Sequence, residues 1–378
     1  MRMNILYVIP NINVAGGISR IVIDKINYLS KAGKFKIFLC YYGNENDKSV
    51  YQIDDKIQLH AIKATGKNSI FGRIKKVIFA TNEIRRFIKD NKIDVIVNAN
   101  AQYLLWTLPF VCKGIKKVHE FHFSYQGQLI LDLQTFRNPI LRNVLRGFRS
   151  FCISHFDKAI VLTPSDKENW HLKNIEVIPN FTNISYCGDY SIESKTALSI
   201  GRLEHQKDFQ LMVKAWKIVN QKHSDWHLNI FGEGSMKKEI EELIVKYGLE
   251  QNVFLKGNTT NVIHEYSNSS FFVSSSRYEG LPLVLIEAQC CGLPCVGFDI
   301  TGVSDMIKDN ETGILVKERT PEQLALGICK LIENPNLRES MHQNTLLDSE
   351  QYTKEYVMGK WISLFEKFNA VNGTSNQG

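Results

Sequence analysis

A chain of 378 residues, 44% of them hydrophobic, is long enough for two cored domains, and no apolar run in it reaches the ~18 residues that span a bilayer. Its net charge of +7 suits contact with phosphate or acidic lipid, while a balanced 22% of charged residues argues against a dedicated nucleic-acid binder. The eight cysteines, at 40, 112, 152, 187, 290, 291, 295 and 329, fall in no CxxC or Cys/His metal spacing and read as reduced, buried thiols.

The start, MRMNILYVIP, reads as a strand over 4–9 and not as a secretory signal, so a cytoplasmic location is expected. It runs through PNINVAGGISR into a helix over about 18–31 that ends at Gly33. Gly16 and Gly17, at this strand-to-helix turn, let the backbone approach a ligand closely. The three-glycine spacing of a dinucleotide fingerprint is absent, which removes the main support for hydride transfer. Strands are expected over 36–40, 57–61, 93–98, 116–121, 159–163 and 176–178, with helices between several of them. That alternation predicts a doubly wound, mostly parallel sheet whose ligand crevice lies beyond the carboxyl ends of the strands. His119 and His122, in KKVHEFHFS, fall at one such end, where packed structural histidines and ligand-facing ones both occur; a strand through 121 places His122 at the tip.

Two basic segments follow helical spacing, 73–92 (RIKKVIFATNEIRRFIKDNK) and 137–149 (RNPILRNVLRGFR). In the second, Arg142, Arg146 and Arg149 share one face. A surface helix with a solvated basic face accounts for this, and so does docking to an anionic membrane at ~1 kcal/mol per well-placed cation. The polar, aperiodic stretch 179–196 reads as a linker, giving domains 1–183 and 190–353.

The second half opens with a strand over 197–200 and the loop GRLEHQKDF, which holds Arg202 and Lys207 ahead of a helix over 209–221. Two cations there suit a diphosphate, and a solvated basic turn has the same composition. A strand over 226–231, a helix over 235–247, a strand over 253–255 and the turn Gly257-Asn258-Thr259 follow. The apolar 271–273 then leads into SSSRYEGLPLVLIEAQCCGLPC, a strand, a loop and a helix opened by Pro282 and closed by Gly292 and Pro294. The first amides of that helix, at Leu283 and Val284, favour an anion, and two carboxylates flank the point: Glu279 in the loop and Glu287 in the second turn. A phosphate flanked by hydroxyl-rich rings would explain the pairing, since carboxylates accept hydrogen bonds from hydroxyls. The loop DITGV, 299–303, is expected nearby, and an amphipathic helix over 354–368 carries Tyr356, Trp361, Leu364 and Phe365.

EGLPLVLIE followed by A-x-x-x-G-x-P, together with G-R-x-x-x-x-K at 201–207, resembles the nucleotide-sugar signature of glycosyltransferase family four. The resemblance implies the GT-B architecture: two Rossmann-like domains facing a central cleft, with the last helix (354–370) crossing back to the first. It implies a retaining transfer from a nucleotide-diphosphate sugar, UDP-linked above all, to a saccharide or lipid-linked saccharide of a surface polysaccharide or glycoconjugate. In that pattern Arg202 and Lys207 contact the diphosphate, Glu279 the donor-sugar hydroxyls, and Glu287 the ribose. Gly16 and Gly17 face the diphosphate from the first domain, a histidine after the fifth strand (His122, or His119) lies near the donor sugar, and Gly257–Thr259 lies by the base. No D-x-D triplet occurs, so no bridging metal is expected and no other cofactor. Competing readings are a GT-B epimerase or phosphorylase and a non-enzymatic basic membrane- or nucleic-acid-associated protein.

Overall fold

The computed structural model describes residues 2–14, 16–63, 70–99, 102–135, 137–184, 188 and 190–374. The chain divides into two compact units, Met1–Pro179 with Val357–Gly378, and Asn180–Tyr356. Part of the expected linker, with Cys187, lies outside the described residues.

Unit 1 is a seven-stranded parallel sheet of β1 (Met3–Ile9), β2 (Phe35–Tyr42), β3 (Gln58–Ile62), β4 (Val95–Ala99), β5 (Lys116–Glu120), β6 (Lys158–Val161) and β7 (Ile175–Val177). Its order, β3-β2-β1-β4-β5-β6-β7, reverses between β1 and β4 and so opens a crevice at their carboxyl ends. The connecting helices are α1 (Gly17–Lys31), α2 (Ile70–Asp90), α3 (Gln102–Leu105), α4 (Tyr125–Thr135), α5 (Pro139–Ser154) and α6 (Pro164–Trp170). Local chemistry sets their starts. Asn138 accepts from the amides of Ile140 and Leu141 with Pro139 at the first turn of α5, and Thr163 accepts from Asp166 with Pro164 next to it.

Unit 2 is a six-stranded parallel sheet of order β10-β9-β8-β11-β12-β13. Its strands are β8 (Thr196–Ile200), β9 (His227–Phe231), β10 (Val253–Gly257), β11 (Phe271–Ser274), β12 (Cys295–Phe298) and β13 (Gly313–Val316). Its helices are α7 (Phe209–Lys222), α8 (Lys237–Lys246), α9 (Val262–Ser267), α10 (Leu283–Cys290), α11 (Pro321–Glu333) and α12 (Pro335–Ser349). Phe209, Met212, Val213 and Trp216 of α7 pack against Phe271, Val273, Val296 and Ile314 of the sheet and Leu324 and Ile328 of α11. Both units therefore have the doubly wound, parallel α/β construction expected from the alternation of apolar strands and helices.

The last helix, α13 (Lys354–Thr374), belongs from Val357 onward to unit 1. Trp361, Leu364 and Phe365 are fully buried there, with Phe365 edge-on to Phe35 of β2 at 5.7 Å, while Tyr356 is half exposed.

Two expectations change. Arg142, Arg146 and Arg149 do share a side of α5, but it is not a solvated basic face: Arg149 is buried, and it and Arg146 both reach Asp132 of α4, at 2.7 and 3.2 Å. Burial opposes ionisation of Asp132, yet the hydrogen bonds from Arg149 and Arg146 hold its carboxyl below the usual range. The outward side of α5 is apolar instead. In unit 2, Pro282 caps α10 and is not its first helical residue; its extended ψ of 118° lets its carbonyl accept from Leu285 and Ile286. All described cysteines are free thiols, six of them buried. No helix among the described residues is long and apolar enough to cross a membrane.

Candidate active site

In unit 2 the loops after β8 and β11 are laced together at the carboxyl ends of adjacent strands. Ser275 Oγ donates to the carbonyl of Lys207 at 2.7 Å, Arg277 N to the carbonyl of Gln206 at 2.8 Å, and Gln206 to the carbonyl of Tyr278 at 2.9 Å. This brings Lys207 Nζ to 2.6 Å from Glu279 Oε1, with only 18% and 7% of the two side chains exposed. Ser276 Oγ donates to the same oxygen at 2.7 Å. Among the described residues, Glu279 Oε2 has no hydrogen-bond partner, and the Lys207 ammonium keeps two further protons to donate. Arg202 is exposed and has no ion pair or hydrogen bond from its side chain among the described residues.

Close backbone contacts make this geometry possible. At Gly232, φ +139°, a Cβ would lie 2.0 Å from the carbonyl oxygen of Gly201; at Gly302, φ +86°, one would lie 2.1 Å from that of Gly280. Only glycine satisfies both the dihedral and the space. The 299–303 loop is thus pressed against 279–280, where it was expected.

Leu283 and Val284 are the first two residues of α10, so their amides have no acceptor within the helix. Val284 lines a small cavity with Ser199, Lys207, Ser274, Ser275 and Ser276. Glu287 is not part of the Lys207 cluster. It is buried one turn along, where the hydroxyl of fully buried Tyr266 lies 3.1 Å from its Oε2 and 3.0 Å from the carbonyl of Val284. Burial, with Glu287 beside it, pushes the Tyr266 hydroxyl well above its ordinary pKa, so it remains a donor. Gly257, φ +69°, ends edge strand β10 and accepts from Gly232 N at 2.7 Å; exposed Asn258 follows, and Thr259 Oγ1 accepts from the Asn261 amide.

In unit 1, Gly16 caps α1 in extended backbone, its carbonyl accepting from Arg20 N, and a Cβ there would meet nothing within 4 Å; exposed Gly17 begins the helix. The two histidines part company. His119, inside β5, points under the sheet: Asn98 Nδ2 is 3.2 Å from its Nδ1, and the rings of Phe121 and Phe156 lie at 4.5 and 5.3 Å. Burial lowers its pKa to about 3. His122, just past the strand, sits beside Glu120, whose Oε1 is 3.6 Å from Nε2, too long for a hydrogen bond. Burial lowers its pKa to about 4, Glu120 opposing and Lys25 assisting.

The sequence reading missed what surrounds His122. Lys25 of α1 forms an ion pair with Glu120, each side chain only 2% exposed, and its ammonium lies 4.0 Å from the centre of the Trp361 ring. Burial lowers the Lys25 pKa, with Glu120 opposing, and raises that of fully buried Tyr7. Among the described residues, Tyr7 Oη, Glu120 Oε2, His122 Nε2 and Asn98 Oδ1 are buried without a hydrogen-bond partner, an unusual concentration of unmet polar atoms at the ends of β4 and β5. Also missed were Asp208 and Arg319: Asp208 pairs with Arg277 at 2.8 Å and with Arg319, which also donates to the carbonyl of Ser275 at 3.0 Å. The three serines at 274–276 were the visible signal; Arg319, 111 residues from Asp208, gave none.

Two parallel α/β units, one with a cation–carboxylate pair beside a helix N-terminus, define the class: a GT-B glycosyltransferase. Residues 15–186 match the family described as Glycosyltransferase Family 4, and 191–347 that described as Glycosyl transferases group 1. An uncharacterized glycosyltransferase of Haemophilus influenzae is 30% identical over 363 residues, covering 94% of this chain and 98% of its own. A Campylobacter jejuni α-1,4-N-acetyl-D-galactosaminyltransferase, named for an undecaprenol-diphosphate-linked acceptor, is 23% identical, covering 96% and 98%. A solved structure of a Staphylococcus aureus TarM variant with fondaparinux, α-GlcNAc-glycerol and UDP superposes with a TM-score of 0.76 at 18% identity, covering 96% and 99%. The chain belongs to the group 1, family 4-like glycosyltransferases and is a transferase.

Proposed function

We propose that the protein transfers a sugar, with retention of anomeric configuration, from a UDP-sugar to a lipid-linked saccharide. The observation that carries this reading is the Lys207–Glu279 pair at 2.6 Å beside the start of α10. Glu279 Oε1 is saturated by Lys207 and Ser276, which leaves Oε2 for donor-sugar hydroxyls. Lys207, Arg202 and the Leu283 and Val284 amides converge chemically on one ligand group, a diphosphate, and replace a bridging metal as its counter-charge. The charge that grows on the leaving diphosphate is met by groups already in place. Glu287, held by Tyr266, accepts from ribose hydroxyls, and the Gly257–Thr259 turn lies by the base. Within unit 1, Gly16 and Gly17 offer bare backbone that a ligand phosphate can approach, and His122, just past the strand, suits contact with a sugar better than core-facing His119.

The UDP bound by the TarM variant and the lipid-linked acceptor named for the Campylobacter relative support these choices. The test is a panel of UDP-, GDP- and ADP-sugars incubated with purified protein, with and without a membrane lipid extract. Release of UDP stimulated by the extract, with an α-linked product by NMR from an α-linked donor, is expected. Isomerised sugar without acceptor, or no nucleotide released from any donor, overturns the reading.

A further inference from the structure

On α5, Ile140, Val144, Phe148 and Phe151 recur at intervals of four, four and three, and they are 74, 62, 47 and 51% exposed. Leu141, also exposed, widens the stripe. Most surface helices turn their apolar side to the core; this one turns it out and sends Arg146 and Arg149 inward to Asp132. The stripe is built rather than ragged. Phe148 stacks on Trp106 at 5.6 Å, and Phe151 on exposed Phe110 at 5.9 Å and against His155 at 4.4 Å, forming one apolar layer with the α5 stripe. A contiguous apolar face of this kind marks a binding surface.

We infer that this face of unit 1 seats in the headgroup layer of an anionic bilayer, with Ile140, Leu141, Val144, Phe148 and Phe151 entering the acyl boundary. Charge selects lipid over another protein as the occupant. No acidic residue occurs from Arg137 to Phe156, while Arg137 at one end of the stripe and Lys113, close after Phe110, are exposed. The face is an apolar helix stripe, extended by Trp106 and Phe110, with cations at its margins, a form that enters a membrane interface, where apolar burial and attraction to anionic headgroups add. For its purpose the inference rests on a lipid-linked acceptor; its test needs no sugar transfer, so either can fail alone.

The full chain is floated with vesicles of phosphatidylcholine, alone or with phosphatidylglycerol. Binding is expected to be stronger to the mixed vesicles than to phosphatidylcholine alone, and high salt should remove that difference while leaving the part due to apolar insertion, which is not screened. Val144→Glu with Phe148→Glu should weaken it by about tenfold or more, with an unchanged circular dichroism spectrum. With Cys112 replaced by Ser, a polarity-sensitive dye on Val144→Cys should shift to the blue with vesicles, and one on exposed Leu347→Cys in unit 2 should not; this arm does not depend on the double variant folding. The inference is overturned if the protein stays unbound with both vesicle types, if the folded double variant floats as well as the parent, if the dye at 144 does not shift, or if the parent is a dimer that the double variant disperses.

Discussion

The two sheets place charge at the carboxyl ends of their strands in opposite ways. In unit 2, Lys207 and Glu279 are paired but keep a spare proton set and a spare oxygen, and Arg202 is unpaired among the described residues. In unit 1, Lys25 and Glu120 are sealed from solvent, and Glu120 Oε2, Tyr7 and His122 are left with unmet polar atoms. The first arrangement leaves hydrogen-bonding capacity for a charged ligand; the second fixes a local geometry and depends on its own completeness. One doubly wound scaffold thus supports an open charge pair and a sealed one with unmet polar atoms beside it, and perturbation should tell them apart.

The largest effect is expected in the sealed cluster. Glu120→Ala leaves the Lys25 ammonium buried without its partner and should destabilise unit 1 by about 3–5 kcal/mol, read from urea unfolding; a loss under about 1 kcal/mol would mean that water reaches the pair. Acid should do nearly as much. His119 and His122 have native pKa values of about 3 and 4, below the ordinary 6.5, so between those values and 6.5 the unfolded chain binds protons that the native state does not. Stability therefore falls as pH drops from 7 to 5, by about 4 kcal/mol for the two together, and replacing His119 with Phe should remove about half of the slope.

Lys207→Ala leaves Glu279 without its cation and should cost unit 2 a smaller amount of stability than the fully sealed pair costs unit 1, while lowering turnover with saturating donor by about a hundredfold or more, about 2.7 kcal/mol of barrier; near-normal turnover would remove Lys207 from the leaving group. The smallest effect on stability belongs to Gly16→Ala. With extended backbone and open space for the new methyl, unfolding should shift by less than about 0.5 kcal/mol, while donor KM rises if the diphosphate approaches there. Equal KM values would clear Gly16 of that role.

Much of the scaffold was legible because it rests on local signals. Apolar runs broken by Gly and Pro placed most of the strands and helices given bounds to within about two residues, though the last helix runs on to Thr374 and several helices of both units had no bounds at all. The loop–helix from Glu279 to Glu287 stood out through its resemblance to a family signature and not through the two glutamates alone. What escaped depends on pairs distant in sequence. Lys25 looks like any lysine of an amphipathic helix, and only Glu120, 95 residues on, makes it a buried ion. The shared face of Arg142, Arg146 and Arg149 was readable, but not its direction, since Asp132 lies 14 and 17 residues before the two arginines it binds. His119 and His122 look equivalent in sequence, yet three residues along an extended chain turn side chains to opposite sides, so one is core and the other is at the strand end.

The return of α13 to unit 1 has a consequence for the order of synthesis. Trp361, which covers the Lys25 ammonium, leaves the ribosome after every residue of Asn180–Tyr356, so the second unit has its whole sequence available before the first does. Until α13 emerges, Phe35 lacks its aromatic neighbour Phe365 and the Lys25–Glu120 pair lacks its lid. The nascent N-terminal sheet must therefore wait, partly uncovered, through the translation of about 180 residues, roughly 10–35 s at ~5–20 residues per second, and that interval is when this chain most needs a chaperone.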